Sequence, residues 1–332
     1  MEYSDILSSL KKKQYKPIYF LMGEEPYFID QISDWIEQNV LDESEKEFNQ
    51  SVLYGRDVDV LTIISEAKRY PMMAERQVVI VKEAQNIRNI EALESYAENP
   101  LDSTLLVICY KYKTLDKRKT ISKTLAKAGV LFESAPLREY KVPDWINGYL
   151  KEHNYNAAPK ASQMLTEYLG TDLSKITNEL DKLMINLKPG TEITPEHIQQ
   201  NIGISKDYNT FELNDALAKK DVLRANRIIN YFAANTKDHP IPVTIAALYG
   251  YFAKVLVLHF LQDKSEKAAA SALGVHPFFV KDYLTAARNY PTGKLKQIFG
   301  YLREYDLRSK GVDNASADEG ALLKELIWKI LH

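Results

Sequence analysis

The chain has 332 residues, 45% of them apolar and 27% charged, with a formal net charge of −2. That length implies two or three domains with ample material for packed cores, and the charge argues against a surface that grips nucleic acid all over. The single cysteine, Cys109, excludes an intrachain disulfide framework and suits a reducing cytoplasm; no run of about 18 apolar residues signals a membrane span, and Met1 to Lys13 is unlike a secretory signal.

Up to about residue 138, short β-rich runs alternate with helical stretches. Ile18–Met22, Phe48–Tyr54, Gln77–Val81, Thr104–Cys109 and Val130–Phe132 read as strands. The near-continuous apolar run Val78-Val79-Ile80-Val81 is the pattern of a strand covered on both faces. Between them, Tyr27–Val40, Val58–Lys68, Ile90–Ala97 and Arg118–Lys127 read as helices, which implies a parallel sheet flanked on both sides.

After Pro136 the strand signal stops. Val142–His153, Pro159–Leu169, Asp172–Leu187 and Thr194–Asn201 predict a small helical group, with Thr194 as a cap and Pro195 at the first helical position. A polar stretch, Gly203 to Asn209, leads into an all-helical remainder. Its longest predicted helix, Pro242–Gln262, is apolar on most faces, as expected of a core or an assembly interface.

Little catalytic chemistry is visible. The loop after the first strand, Met22-Gly23-Glu24-Glu25-Pro26, stands where a nucleotide enzyme carries glycines, a lysine and a Ser or Thr. Here it has Gly23 alone, and Glu24 and Glu25 would repel phosphates; as acids before a helix they suit its dipole instead. The third strand ends in Val81-Lys82-Glu83, where a nucleotide hydrolase needs a metal-binding carboxylate directly after the apolar run. The six histidines are scattered without a second ligand at helical spacing, and His259 lies in an apolar helix as a buried, hydrogen-bonded residue. Cys109 reads as a small core residue, and Trp35, Trp145 and Trp328 as packing anchors. No catalytic residue, metal ligand or cofactor site is expected.

Two segments stand out. In Arg69-Tyr70-Pro71-Met72-Met73-Ala74-Glu75-Arg76, Pro71 breaks the preceding helix and leaves Tyr70, Met72 and Met73 on a connector at the N-terminal edge of the third strand. These side chains either fold back onto the local core or fill a pocket on another protein. The window Lys111–Lys127 holds seven basic residues against one acid, including Lys113, Lys117, Arg118, Lys119 and Lys123. It is either a solvated helix face or a contact for nucleic acid or an acidic protein.

Four blocks in order resemble the bacterial DNA polymerase III delta subunit family. They are Tyr19 to Phe28 with the degenerate loop; Ile63 to Val81 with Pro71-Met72-Met73; Leu115 to Leu125; and Leu273 to Val280 with Asp306 to Gly311. The resemblance implies an α/β plus all-α chain: an AAA+-like parallel-sheet module with a degenerate nucleotide site at 1–138, a helical lid at 139–205 and a helical collar at 206–332. It further implies a non-catalytic clamp-loader subunit that binds and opens the beta sliding clamp through Tyr70, Met72 and Met73. Many relatives carry Leu-Phe or Phe-Phe in place of Met72-Met73. The implied partners are the gamma/tau motor subunits, delta prime and primer-template DNA within the assembled loader, in a cytoplasmic replisome. A delta-prime-like adaptor or an active AAA+ ATPase is the alternative reading.

Overall fold

The computed structural model describes residues 1–205, 207–313 and 318–332. It divides into two compact units, Met1–Leu137 and Arg138–His332.

The first unit is built on five strands: β1 (Ile18–Gly23), β2 (Gln50–Tyr54), β3 (Gln77–Lys82), β4 (Thr104–Lys111) and β5 (Val130–Ser134). All pairings are parallel, in the order β2-β3-β4-β1-β5. Its helices are α1 (Tyr3–Lys11), α2 (Pro26–Asn39), α3 (Glu43–Asn49), α4 (Val60–Ala67), the single turn α5 (Glu94–Ala97) and α6 (Thr120–Ala128). Because side chains alternate along a strand, each central strand feeds two cores. Tyr19, Leu21, Val78, Ile80, Val107 and Cys109 pack with Ile6, Leu10, Ile29, Ile32 and Ile36 of α1 and α2. Phe20, Met22, Val79, Val81, Leu106 and Ile108 pack on the other face with Ile63, Tyr96, Ile121 and Leu125. Two helices escaped the sequence reading, α1 and α3, and Phe48 belongs to α3 rather than to a strand. Helix α3 has too few apolar positions to reveal a period, whereas α1 does carry the helical spacing Tyr3, Ile6, Leu7 and Leu10 in a short polar-rich segment.

The second unit contains α7 (Val142–Glu152), α8 (Pro159–Leu169), α9 (Leu173–Asn186), α10 (Pro195–Ile202), α11 (Thr210–Ala218), α12 (Val222–Ala234), α13 (Ile241–Phe260), α14 (Glu266–Leu273), α15 (Val280–Asn289), α16 (Thr292–Ser309) and α17 (Glu319–Leu331). Strand character does not vanish entirely: β6 (Asn156–Ala157) and β7 (Glu192–Ile193) make a two-residue parallel bridge. Thr194 does cap α10, in a reciprocal pair in which its N–H donates to His197 Nδ1 at 3.2 Å. The expected boundary at residue 206 falls outside the described residues.

By length and composition alone α13 is apolar enough to cross a bilayer, as the core helix of a folded unit also can be. Eight of its residues, among them Leu248, Tyr251, Phe252 and Val255, are buried in this unit, while Val243, Tyr249, Val257 and Phe260 form an exposed face. His259 is half-buried and hydrogen-bonded, its Nε2 lying 2.9 Å from the Tyr290 carbonyl. Trp328 is not a core anchor: it is exposed and stacks on His332 at 5.1 Å. The core side of α17 is already filled by Leu322, Leu323, Leu326, Ile327 and Ile330, so its indole is left outside.

Candidate functional site

All five strands of the first unit run the same way, so the sheet has two chemically distinct edges. The connector between α4 and β3 lies at the N-terminal edge. Helix α4 ends at Ala67, whose carbonyl accepts from Thr104 Oγ1 at 3.0 Å and from the Tyr96 hydroxyl at 3.3 Å. The Gln77 side chain donates to the Glu66 carbonyl at 2.6 Å, so the two ends of the connector are tied together. Arg76 donates to the Asp102 carbonyl at 3.1 Å and lies 5.4 Å from the centre of the Tyr15 ring.

Between these ties the connector presents apolar side chains to water. Tyr70 is 75% exposed, Met72 57% and Met73 103%. They do not fold back onto the local core. Met73 also has φ 54°, a left-handed conformation uncommon for a side chain of its size. One residue absent from the sequence reading braces the segment: Asn49, at the end of α3. The Met72 N–H donates to Asn49 Oδ1 at 2.6 Å, and Asn49 Nδ2 donates to the Met72 carbonyl at 2.9 Å. Nothing in the sequence spacing links position 49 to position 72.

The degenerate nucleotide loop lies at the opposite edge, roughly 17–20 Å away along a six-residue strand such as β3. Strand order reverses direction between β1 and β4, and a ligand in an open parallel sheet sits at such a switch point. Here backbone fills it. The Gly23 N–H donates to the Lys113 carbonyl at 3.0 Å, and the Tyr112 N–H donates to the Gly23 carbonyl at 2.7 Å. The Leu115 N–H points to Met22 Sδ at 3.2 Å. Glu25 is buried and caps α2, accepting from the Tyr27 N–H at 2.9 Å, while Glu24 stays exposed. The two acids therefore have different roles: both stand before the helix N-terminus, as its dipole favours, and Glu25 also caps it.

The position after β3's apolar run is also occupied. Lys82 Nζ is 2.8 Å from Glu37 and 3.5 Å from Asp34, both on α2. Burial pulls the ammonium pKa down, but the bond to Glu37 and the charges of Glu37 and Asp34 outweigh it, so the pKa sits above its ordinary value. Glu83 turns away in a left-handed conformation, φ 55°.

The basic block borders this second edge, and its charges are largely matched. Lys117 meets Glu133 at 2.5 Å, Arg118 meets Asp116 at 2.8 Å and Lys119 meets Glu91 at 2.6 Å. Lys113 donates to the Gln85 carbonyl at 2.9 Å, and Lys123 is exposed on α6. The seven-to-one ratio read from the sequence overstates the local field, because Glu91 and Glu133 come from distant chain positions. These pairs are surface-exposed and weak, so a phosphate could replace the acids.

Sequence models of one family match both units. One described as DNA polymerase III, delta subunit, covers residues 19–135, and one described as the C-terminal domain of that subunit covers residues 207–327. The chain belongs to the DNA polymerase III delta subunit family. The DNA polymerase III subunit delta of Bacillus subtilis is 28% identical over 98% of this chain and 96% of its own length. Among solved structures, the Bacillus subtilis DNA clamp loader delta protein matches with a TM-score of 0.54 at 26% identity, covering 99% of each chain. RuvB of Thermotoga maritima matches at 12% identity with a TM-score of 0.38, over 86% of this chain and 85% of its own.

Membership of this family accounts for the combination of a parallel sheet with a helical C-terminal region. It also makes DNA replication the setting in which the two edges are to be read. Tyr70, Met72 and Met73 come together on one edge. Gly23, Glu24, Glu25 and the basic residues Lys113, Lys117, Arg118, Lys119 and Lys123 gather at the other.

Proposed function

We propose that this chain is the clamp-loader subunit that grips the beta sliding clamp and opens its ring, or holds it open, for loading on primed DNA. The carrying observation is the exposed, braced Tyr70–Met73 segment at the sheet edge opposite the filled nucleotide loop. Two flexible, polarizable thioethers and a phenol with an apolar body suit a preformed hydrophobic pocket on a partner. The work is differential binding: the ring shifts toward its open form by no more than the difference in affinity for the two forms.

In this reading the chain has no ATP chemistry of its own. The switch point is closed by backbone, Glu24 faces solvent and Lys82 occupies the position a metal-binding carboxylate would need. ATP-dependent changes then come from gamma/tau motor subunits, with delta prime completing the loader in the bacterial cytoplasm. The second unit supplies a lid at 139–205 and a collar at 206–332 for assembly. The exposed row Val243, Tyr249, Val257 and Phe260 on α13 supports an assembly role.

The test is Met72→Ala/Met73→Ala. Burying each methionine contributes about 1.5–3 kcal/mol, so the double variant should weaken clamp binding by roughly 10²- to 10⁴-fold. Because both side chains are exposed, the melting temperature should barely move. Unchanged affinity for the cognate clamp in titration calorimetry would sink the assignment.

A further inference from the structure

Asn49 and Met72 belong to different elements, 23 positions apart, yet one amide side chain engages both backbone polar groups of one residue. Asn49 is 3% exposed. Its Oδ1 accepts from the Met72 N–H at 2.6 Å, and its Nδ2 donates to the Met72 carbonyl at 2.9 Å and to the Glu45 carbonyl at 3.1 Å. The donor–acceptor pattern leaves no freedom to flip the amide, since a flipped group would set donor against donor and acceptor against acceptor.

A side chain that holds both the N–H and the C=O of one residue fixes that residue's backbone as a neighbouring strand would. The residue held is the one between Pro71, which restricts Tyr70, and Met73, which is kept in a left-handed conformation with its side chain fully in water. An apolar segment without such a hold would sample many conformations and collapse onto nearby surface. Ordering it at the moment of binding would then reduce affinity.

The geometry points to Asn49 as the positioning residue of the clamp-binding surface: it presets the Tyr70–Met73 segment in its binding conformation without touching the partner. This inference rests on the proposed function above. It assigns Asn49 no contact with the clamp, because its side chain is buried behind the segment.

The experiment is a double-mutant cycle on the full chain, read by calorimetric affinity for the cognate clamp. Asn49→Ala should weaken binding about tenfold in the natural background. In a Tyr70→Ala/Met72→Ala/Met73→Ala background it should change affinity by less than about twofold, because the side chains it positions are gone. Amide hydrogen exchange supplies a readout that needs no partner. Asn49→Ala should deprotect the Met72 N–H while the β3 amides of Val79 and Ile80 keep their protection. If Asn49→Ala does not fold, Asn49→Gln keeps the amide's donor and acceptor but carries them one methylene too far to hold Met72, and should weaken clamp binding with the β3 amides still protected.

Equal losses in both backgrounds, with β3 deprotected alongside Met72, would mean that Asn49 serves the fold alone, and the inference is overturned. No loss in either background overturns it as well. If the double methionine variant itself binds the clamp normally, the failure belongs to the functional reading, which the same data set identifies separately.

Discussion

The carbonyl of Ser134 at the end of β5 occupies the space where Gly23 would carry a side chain. A Cβ built on Gly23 would meet the Ser134 oxygen at 2.1 Å, and Gly23 has φ 132°, a backbone conformation that side chains resist. The same carbonyl accepts from the Glu25 N–H at 3.2 Å, and the Ser134 hydroxyl donates to the Glu25 carbonyl at 2.7 Å. The glycine that resembles a remnant of a phosphate cradle is kept by β5, which runs into the loop.

Two outcomes follow from that arrangement. Gly23→Ala should lower unfolding free energy by roughly 2–4 kcal/mol, since it combines a strained φ with a collision against backbone that cannot swing away. Urea midpoints of the two proteins check this, and a shift under about 0.5 kcal/mol would contradict the packing described. Titration of the natural chain with Mg-ATP should give no heat at micromolar concentrations. Saturable binding there would mean that the loop opens.

The thiol of Cys109 should be inert in the folded protein. Burial pushes its pKa up from 9.0 to about 11. The unfolded chain therefore loses this proton near pH 9, and the folded chain only near pH 11. Over that window the folded state binds more protons, so stability falls as pH rises, by at most roughly 2–3 kcal/mol from this group. Iodoacetamide at pH 8 should label Cys109 only after denaturant is added. Rapid labelling of the native protein would show that β4 opens far more readily than its buried neighbours imply.

The charged knot of the second unit sets up another outcome. Glu212 on α11 is buried and ion-paired with Lys160 of α8 and Arg224 of α12, and Arg224 also meets Asp215 at 2.6 Å. Removing the carboxylate leaves two cations facing each other, though both are more than a third exposed and recover part of their hydration. Glu212→Gln should therefore cost about 2 kcal/mol rather than the larger loss of a fully buried pair. Thermal unfolding of the variant, with an intact first unit as internal reference, measures it.

Some of this was legible in the sequence and some was not, for identifiable reasons. The three central strands were readable because a sheet covered on both faces demands continuous apolar runs such as Val78–Val81; the edge strands β2 and β5 are only partly buried and gave a weaker signal. The Tyr70–Met73 segment was readable as a break, since Pro71 stops a helix whatever surrounds it. Its exposure was not, because core and partner pocket select the same side chains. Asn49 was invisible: its role depends on α3 delivering an amide to a backbone 23 residues away, and an asparagine before a strand looks like a turn residue. The acids that offset the basic block were out of sight for the same reason. Its partners Glu91 and Glu133 are brought in by the fold rather than by neighbouring sequence.

Those partners decide how the block should be tested. Reversing Lys117, Arg118 and Lys119 to Glu would set like charges against Glu133, Asp116 and Glu91, and any loss could then reflect local repulsion. Glutamine at the three positions, combined with Lys123→Gln, removes the cations without creating those clashes. If the block meets phosphates in the assembled loader, DNA-dependent clamp loading should fall. The salt dependence should also flatten, by roughly one unit of slope for each phosphate no longer neutralised. The isolated chain, with its net charge of −2, should bind DNA only weakly and lose that binding as salt rises toward about 0.2 M. Clamp affinity should be untouched, because Tyr70, Met72 and Met73 lie at the other end of the strands. A quadruple-glutamine protein that loads normally but binds the clamp poorly would reverse the assignment of the two edges: the lysines would then face the clamp's surface, and the methionines would need another partner.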